Sequence, residues 1–149
     1  MSYSLWDWNP LILVNKQKPL SPLSYAPQSL VGIGSQQLRA DAANSLQKMI
    51  TDAAGGGITI TAVSGYRSYG DQYSLYWSYV AQYGQSTADS ISARPGFSEH
   101  QSGLAVDIGN PNGACGLQSC FRYTPAGTFA ADNAWKYGFV VRYPDGTLA

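Results

Sequence analysis

Apolar and polar positions change rhythm several times along this chain, and each change predicts an element. From Ser35 onward, Leu38, Ala42, Leu46, Met49, Ile50 and Ala53 recur at the spacing of one helix face, and the glycines at 55–57 stop that helix. ITITAV, residues 58–63, is rich in β-branched side chains and reads as a strand. In SGYRSYGDQYSLYWSYVAQYG the pattern predicts a helix capped by Asp71 and running to about Tyr83, with Leu75, Tyr79 and Val80 inward and Gly84 ending it. A short helical piece is expected over residues 86–92. LAVDI, residues 104–108, alternates as a strand that sends Leu104, Val106 and Ile108 to one face and Ala105 and Asp107 to the other. A helix over residues 127–137 and a strand in GFVVRY complete the pattern.

Residues 1–34 behave differently. They are rich in Pro, Ser and Asn and keep no period, so they read as an extended segment laid over a single domain at 35–149. Leu11, Ile12, Leu13 and Val14 are expected to dock as a strand. Strands alternating loosely with helices, some strands antiparallel, predict an α+β fold.

Composition narrows the function classes. Of 149 residues, 12% are charged, against a usual share of roughly 25%, and the net charge is zero. No basic footprint argues for nucleic acid or an anionic membrane. No apolar run reaches the length of a membrane span. MSYSLWDWNP lacks a basic stretch followed by an apolar core, so no signal peptide is visible; a cytoplasmic protein, a trimmed mature form and a fragment all fit that start. Eleven Tyr and four Trp offer flat faces that suit sugar or peptide surfaces, or serve as core filler. Cys115 and Cys120 read first as a short-loop disulfide, pointing to an oxidising compartment, and second as a metal clip.

Candidate chemistry gathers in SEHQSGLAVDIG, Ser98–Gly109. It holds the only histidine, His100, and the only glutamate, Glu99, with Asp107 seven residues past the histidine. A carboxylate on a rigid strand and an imidazole just upstream supply oxygen and nitrogen donors that suit zinc. The His–Asp spacing is a weak signal by itself. Arg67, placed just after strand 58–63, offers a forked donor for a carboxylate or an oxyanion. Gln72 and Ser98 are further candidates to hydrogen-bond a substrate terminus.

Together SGYRSYGDQ, SARPGFSEHQSGLAVDIG and NAWKYGFVVRYPDG resemble the VanY-type D-alanyl-D-alanine carboxypeptidases, and LVNKQKPLSPLSYAPQSLV resembles their N-terminal segment. The resemblance covers residues 11–146. It implies a single α+β domain with a small, mainly antiparallel sheet and flanking helices, the zinc peptidase fold shared with hedgehog domains. It also implies Zn2+ held by two histidines and an aspartate. His100 matches the first histidine, Asp107 the aspartate, and Arg67 the arginine that stabilises the scissile carbonyl. Gln72 and Ser98 match positions that contact the terminal D-alanine carboxylate. The implied reaction is release of a C-terminal D-amino acid from a peptidoglycan stem peptide, D,D or L,D, on the cell-wall side of a bacterium. A monomer is the default expectation.

The chain departs from that pattern near its end. The family carries its general base and third ligand in a late Glu-x-x-His or Glu-Pro-Trp-His segment, whereas this sequence reaches Ala149 with no second histidine and no second glutamate. Glu99 directly precedes His100 and projects differently, and nothing favours Asp145 as a substitute. The expectation is therefore a truncated, nearly inactive peptidase. A wall-peptide binding module that has lost catalysis, a site completed by a partner chain, a phage lytic endopeptidase of the same fold and a disulfide-stabilised interaction domain are the competing readings.

Overall fold

In a computed structural model that describes residues 4–7, 20, 22–113, 115 and 119–142, the chain begins with strand β1 (Ser4–Asp7). A hairpin of β2 (Leu30–Ile33) and β3 (Gln36–Arg39) leads into helix α1 (Ala40–Gly55). Strand β4 (Thr61–Ser64) is followed by helices α2 (Tyr69–Tyr83) and α3 (Gln85–Ile91). Then come strand β5 (Ala105–Gly109), helix α4 (Pro125–Asn133) and strand β6 (Phe139–Arg142). The main sheet has the order β4-β5-β1-β6, with every neighbouring pair antiparallel.

Strand β5 is central because it is apolar on both faces. Leu104, Ala105, Val106 and Ile108 are buried, and Asp107 is the one partly exposed position between them. Helix α1 presses Ala42, Leu46, Met49 and Ala53 into the same core, which also takes Phe121, Ala130 and Phe139 from the C-terminal elements. This is the expected α+β domain. Cys115 and Cys120 are joined by a disulfide that ties the loop after β5 to the 3-10 turn Ser119–Tyr123.

Several boundaries differ from the pattern reading. Residues 35–39 are not helical. Gly34 takes a positive φ of 58°, the chain reverses, and Leu38 reaches the core from β3 instead of from a first helical turn. Leu38 keeps helical spacing to Ala42 only because both positions face one core. The strand expected at 58–63 begins at Thr61. Helix α2 is capped by Ser68, whose Oγ accepts from the Asp71 N–H at 3.0 Å; Asp71 sits in the first turn, where its charge suits the helix N-terminus. Its buried residues are Gln72 and Tyr76, while Leu75, Tyr79 and Val80 are only half-buried. The helix expected over 127–137 divides into α4, capped by Thr124, and a 3-10 turn, Ala134–Tyr137. The position between residues 34 and 35 falls in the turn of the β2–β3 hairpin. Leu11–Val14 and Asp145 lie outside the described residues.

Two glycines provide a test of this packing. A Cβ on Gly127 would sit 1.9 Å from the Phe121 carbonyl oxygen, whereas one on Gly55 would meet nothing within 4 Å. Gly127→Ala is expected to lower stability by about 1–3 kcal/mol or more through overpacking. Gly55→Ala is expected to raise it by about 0.5–1 kcal/mol, since a helical residue loses backbone freedom in the unfolded chain. Urea unfolding of the two variants measures both, and equal effects would contradict the packing described.

Candidate active site

The site is assembled where β4 and β5 lie side by side. Ser64, the last residue of β4, is the register partner of Asp107, across an irregularity that skips Val63. The next residue, Gly65, comes so close to the β2–β3 hairpin that a Cβ would stand 2.5 Å from the Gln37 carbonyl oxygen. The hairpin holds it there. The Gly65 N–H donates to Gln36 Oε1 at 3.2 Å, and the Tyr66 N–H donates to the Gln37 carbonyl at 2.6 Å.

That placement aims the Gly65 carbonyl at His100. The histidine lies on a 3-10 turn, Glu99–Ser102, whose start is capped by Ser98: its Oγ accepts from the His100 N–H at 3.2 Å. Gly103 closes the turn with a φ of 75°. His100 Nδ1 stands 2.9 Å from the Gly65 oxygen. A carbonyl only accepts, so Nδ1 carries the hydrogen, and in the neutral ring the lone pair sits on Nε2. Nε2 in turn lies 3.4 Å from Asp107 Oδ2, with the imidazole nearly fully buried and the carboxylate side chain 13% exposed.

Two electron-pair donors facing each other at that distance need something positive between them. A second ring proton satisfies the need, and so does a cation. Nitrogen and oxygen ligands placed 2.0–2.2 Å from a tetrahedral zinc stand about 3.4 Å apart, so this pair fits the metal the resemblance implies. The Nδ1–H···O=C bond is also the usual outer support of a metal-bound histidine. Among the described residues no group of three His, Cys, Asp or Glu side chains forms a full ligand set.

Arg67 is tied to the same elements. Its backbone N–H donates to the His100 carbonyl at 3.1 Å, which straps the loop after β4 to the 3-10 turn. Its guanidinium donates to Ser64 Oγ and to Gln72 Oε1, each at 3.0 Å. Gln72 is 1% exposed, and its amide donates to Ser92 Oγ at 3.0 Å and to the Ala93 carbonyl at 2.6 Å. The structure thus brings Arg67, His100 and Asp107 together. Gln72 and Ser98 lie buried behind them, engaged in internal hydrogen bonds.

A further cluster fixes the loop that carries these contacts. Arg94 makes two 2.9 Å hydrogen bonds to the Asp89 carboxylate and lies over the Tyr76 ring, while the Tyr76 hydroxyl donates to Asp89 at 2.6 Å. Sequence reasoning did not single out Tyr76, Asp89, Arg94 or Gly65. Gly65 sits inside the quoted SGYR motif, and the glycine before the arginine was the signal available. Burial, then the hydrogen bond to Asp89, pushes the Tyr76 pKa up from its ordinary value of 10.

Two expectations follow. Gln72→Ala leaves the Arg67 guanidinium and the Ala93 carbonyl short of partners and should cost about 1–3 kcal/mol in urea unfolding, unlike a surface glutamine such as Gln47. Tyr76 is neutral in both states at neutral pH, and its raised folded pKa makes ionisation harder in the folded chain. Its contribution is therefore fully present below pH 10 and is lost as pH rises through the raised value. Unfolding midpoints taken across that range should fall in the wild type and fall less steeply in Tyr76→Phe; parallel curves would contradict the assignment.

Comparison with known proteins gives the ancestry of the chain. The family model for VanY, D-alanyl-D-alanine carboxypeptidase, matches residues 35–149. YodJ of Bacillus subtilis strain 168 is 40% identical over 146 residues, covering 91% of this chain and 53% of its own length. The chain thus spans about half of that relative. Among solved structures, the LD-carboxypeptidase LdcB is similar with a TM-score of 0.81 at 40% identity, over 89% of this chain and 66% of that one. The vancomycin-resistance D,D-pentapeptidase VanY in complex with Zn(II) is similar with a TM-score of 0.69 at 28% identity, over 87% of this chain and 74% of that one. A domain-length family match laid over the His100–Asp107–Arg67 arrangement leaves one reading of ancestry: this chain belongs to the VanY family of D-alanyl-D-alanine carboxypeptidases.

Proposed function

We propose that this chain carries the catalytic fold of a zinc-dependent carboxypeptidase that removes the C-terminal D-amino acid from peptidoglycan stem peptides on the cell-wall side of a bacterium. The observation that carries the reading is the approach of His100 Nε2 and Asp107 Oδ2 to 3.4 Å beside a pinned arginine. The matching VanY structure in complex with Zn(II) supports the choice of metal.

Zinc bound there supplies Lewis acidity and brings the pKa of a water toward about 7. The chain's own residues do the rest. Gly65 fixes the His100 tautomer so that Nε2 faces the metal position, and β5 holds Asp107 rigidly opposite. Arg67, held by Ser64 and Gln72, presents a fixed positive charge to the oxygen of the scissile carbonyl as negative charge develops on it. Ser98, fully buried, accepts from the His100 N–H and so positions the turn that carries the histidine. Both amide hydrogens of Gln72 are taken by Ser92 and Ala93, which makes Gln72 the residue that positions Arg67.

These 149 residues include one histidine and one glutamate, so they offer two protein ligands where catalytic zinc takes three. Glu99, buried and directly preceding His100 in the chain, is not assigned the role of general base in this reading. A polypeptide of these residues is therefore expected to bind zinc weakly and to turn over about 10²–10⁴-fold more slowly than a full-length relative that has its base. D-Alanine release from a pentapeptide reads D,D activity, and release of the terminal residue from a tetrapeptide reads L,D activity. The residual rate should vanish with chelator and in Asp107→Ala. Release that survives both would overturn the zinc reading, and peptide binding without any turnover would make the chain a binding module.

A further inference from the structure

The aromatic residues of α2 have no role in the chemistry above, yet they are arranged. Tyr69, Tyr73 and Trp77 recur every four residues along one face of the helix. Their ring centroids are spaced 6.4 Å and 6.2 Å apart, with planes tilted by 36° and 53°, so the rings form a ladder without stacking on one another. Tyr73 is 50% exposed and Trp77 46%. The ladder runs about 12 Å along the helix axis. It starts in the same turn as Gln72, the residue that holds Arg67.

The chemistry of this face limits what covers it. Asp71 is the only charged residue in the fifteen of α2, so the helix itself offers no cation to an anionic lipid or polymer, and the neighbouring Arg94 is paired with Asp89. Three partly exposed rings offer about 300 Å² at roughly 150–250 Å² per aromatic side chain. A stable pairing with a second copy needs about 800 Å² per partner. A narrow, uncharged, ring-shaped ligand fits better. β-Linked pyranose sugars show C–H bonds, slightly positive, on their flat faces, and an aromatic ring presents a negative face. Tyr69 and Tyr73 add hydroxyls that reach sugar oxygens.

We propose that Tyr69, Tyr73 and Trp77 form a stacking platform for the sugar rings of a β-linked glycan. The inference deepens the proposed function: if the site takes a stem peptide, the platform takes the glycan strand to which that peptide is attached, and the helix delivers one to the other. Sugar binding itself does not require catalysis, so it is measurable on the chain as it stands.

The test uses two probes, a soluble peptidoglycan glycan oligomer stripped of peptide and a free stem pentapeptide, with binding read by calorimetry or by chemical-shift changes. The wild type should bind the oligomer. Trp77→Ala should weaken that binding about tenfold, whereas Trp77→Phe, which keeps a ring, should retain most of it. Trp135→Ala, at a site 70% exposed on another element, should bind like the wild type. The pentapeptide should bind equally to all of them. Thermal melts check that each variant is folded. No oligomer binding by the wild type, or equal loss in the Trp77 and Trp135 alanine variants, would overturn the platform. Oligomer binding without pentapeptide binding would keep the platform and sink the carboxypeptidase reading instead.

Discussion

The hydrogen bond from His100 Nδ1 to the Gly65 carbonyl is the constraint on which the rest of the site depends. It decides which ring nitrogen is free, where that nitrogen points, and therefore what can sit between it and Asp107. The bond exists only because Gly65 lies where a side chain has no room, pressed against Gln37. The β2–β3 hairpin, which is not part of the main sheet, thus sets the geometry of a histidine over sixty residues away in sequence.

Around that bond, backbone contacts do most of the positioning. Arg67 is strapped to His100 by its own N–H, and Asp107 is aligned with Ser64 by strand register. Side chains then close the second layer. Gln72 joins the arginine to the Ser92–Ala93 loop, and Asp89, Arg94 and Tyr76 clamp that loop against α2. Such buried polar contacts stabilise only when fully partnered, so the layer is sensitive to single deletions. It also keeps Arg67 and His100 from rearranging freely, which a site that must present fixed charges needs.

Part of this was legible in the sequence. The strand around Asp107 shows in its alternation, and α1 from Ala42 onward shows in its period. The resemblance in SGYRSYGDQ and SARPGFSEHQSGLAVDIG points to Arg67, His100 and Asp107 as one group, because long ordered motifs carry information that a single spacing lacks. The hairpin at Gln36–Arg39 was misread, since Leu38 happens to keep helical spacing with Ala42 and a short two-stranded pairing leaves little periodic signal. The inward face of α2 was misread for a different reason. Apolar periodicity cannot reveal that one of the two buried residues is a glutamine satisfied by Arg67, Ser92 and Ala93. Gly65 escaped notice because its importance lies in what approaches it from a distant strand.

The most direct measurement is nitrogen NMR of the imidazole, which is unambiguous in a chain with one histidine. The account predicts that Nδ1 keeps its hydrogen throughout, and that zinc shifts the Nε2 resonance by an amount that Asp107→Asn diminishes. A bare Nδ1, or an Nε2 resonance indifferent to zinc, would contradict the claim that Gly65 prepares His100 to hold a metal with Asp107.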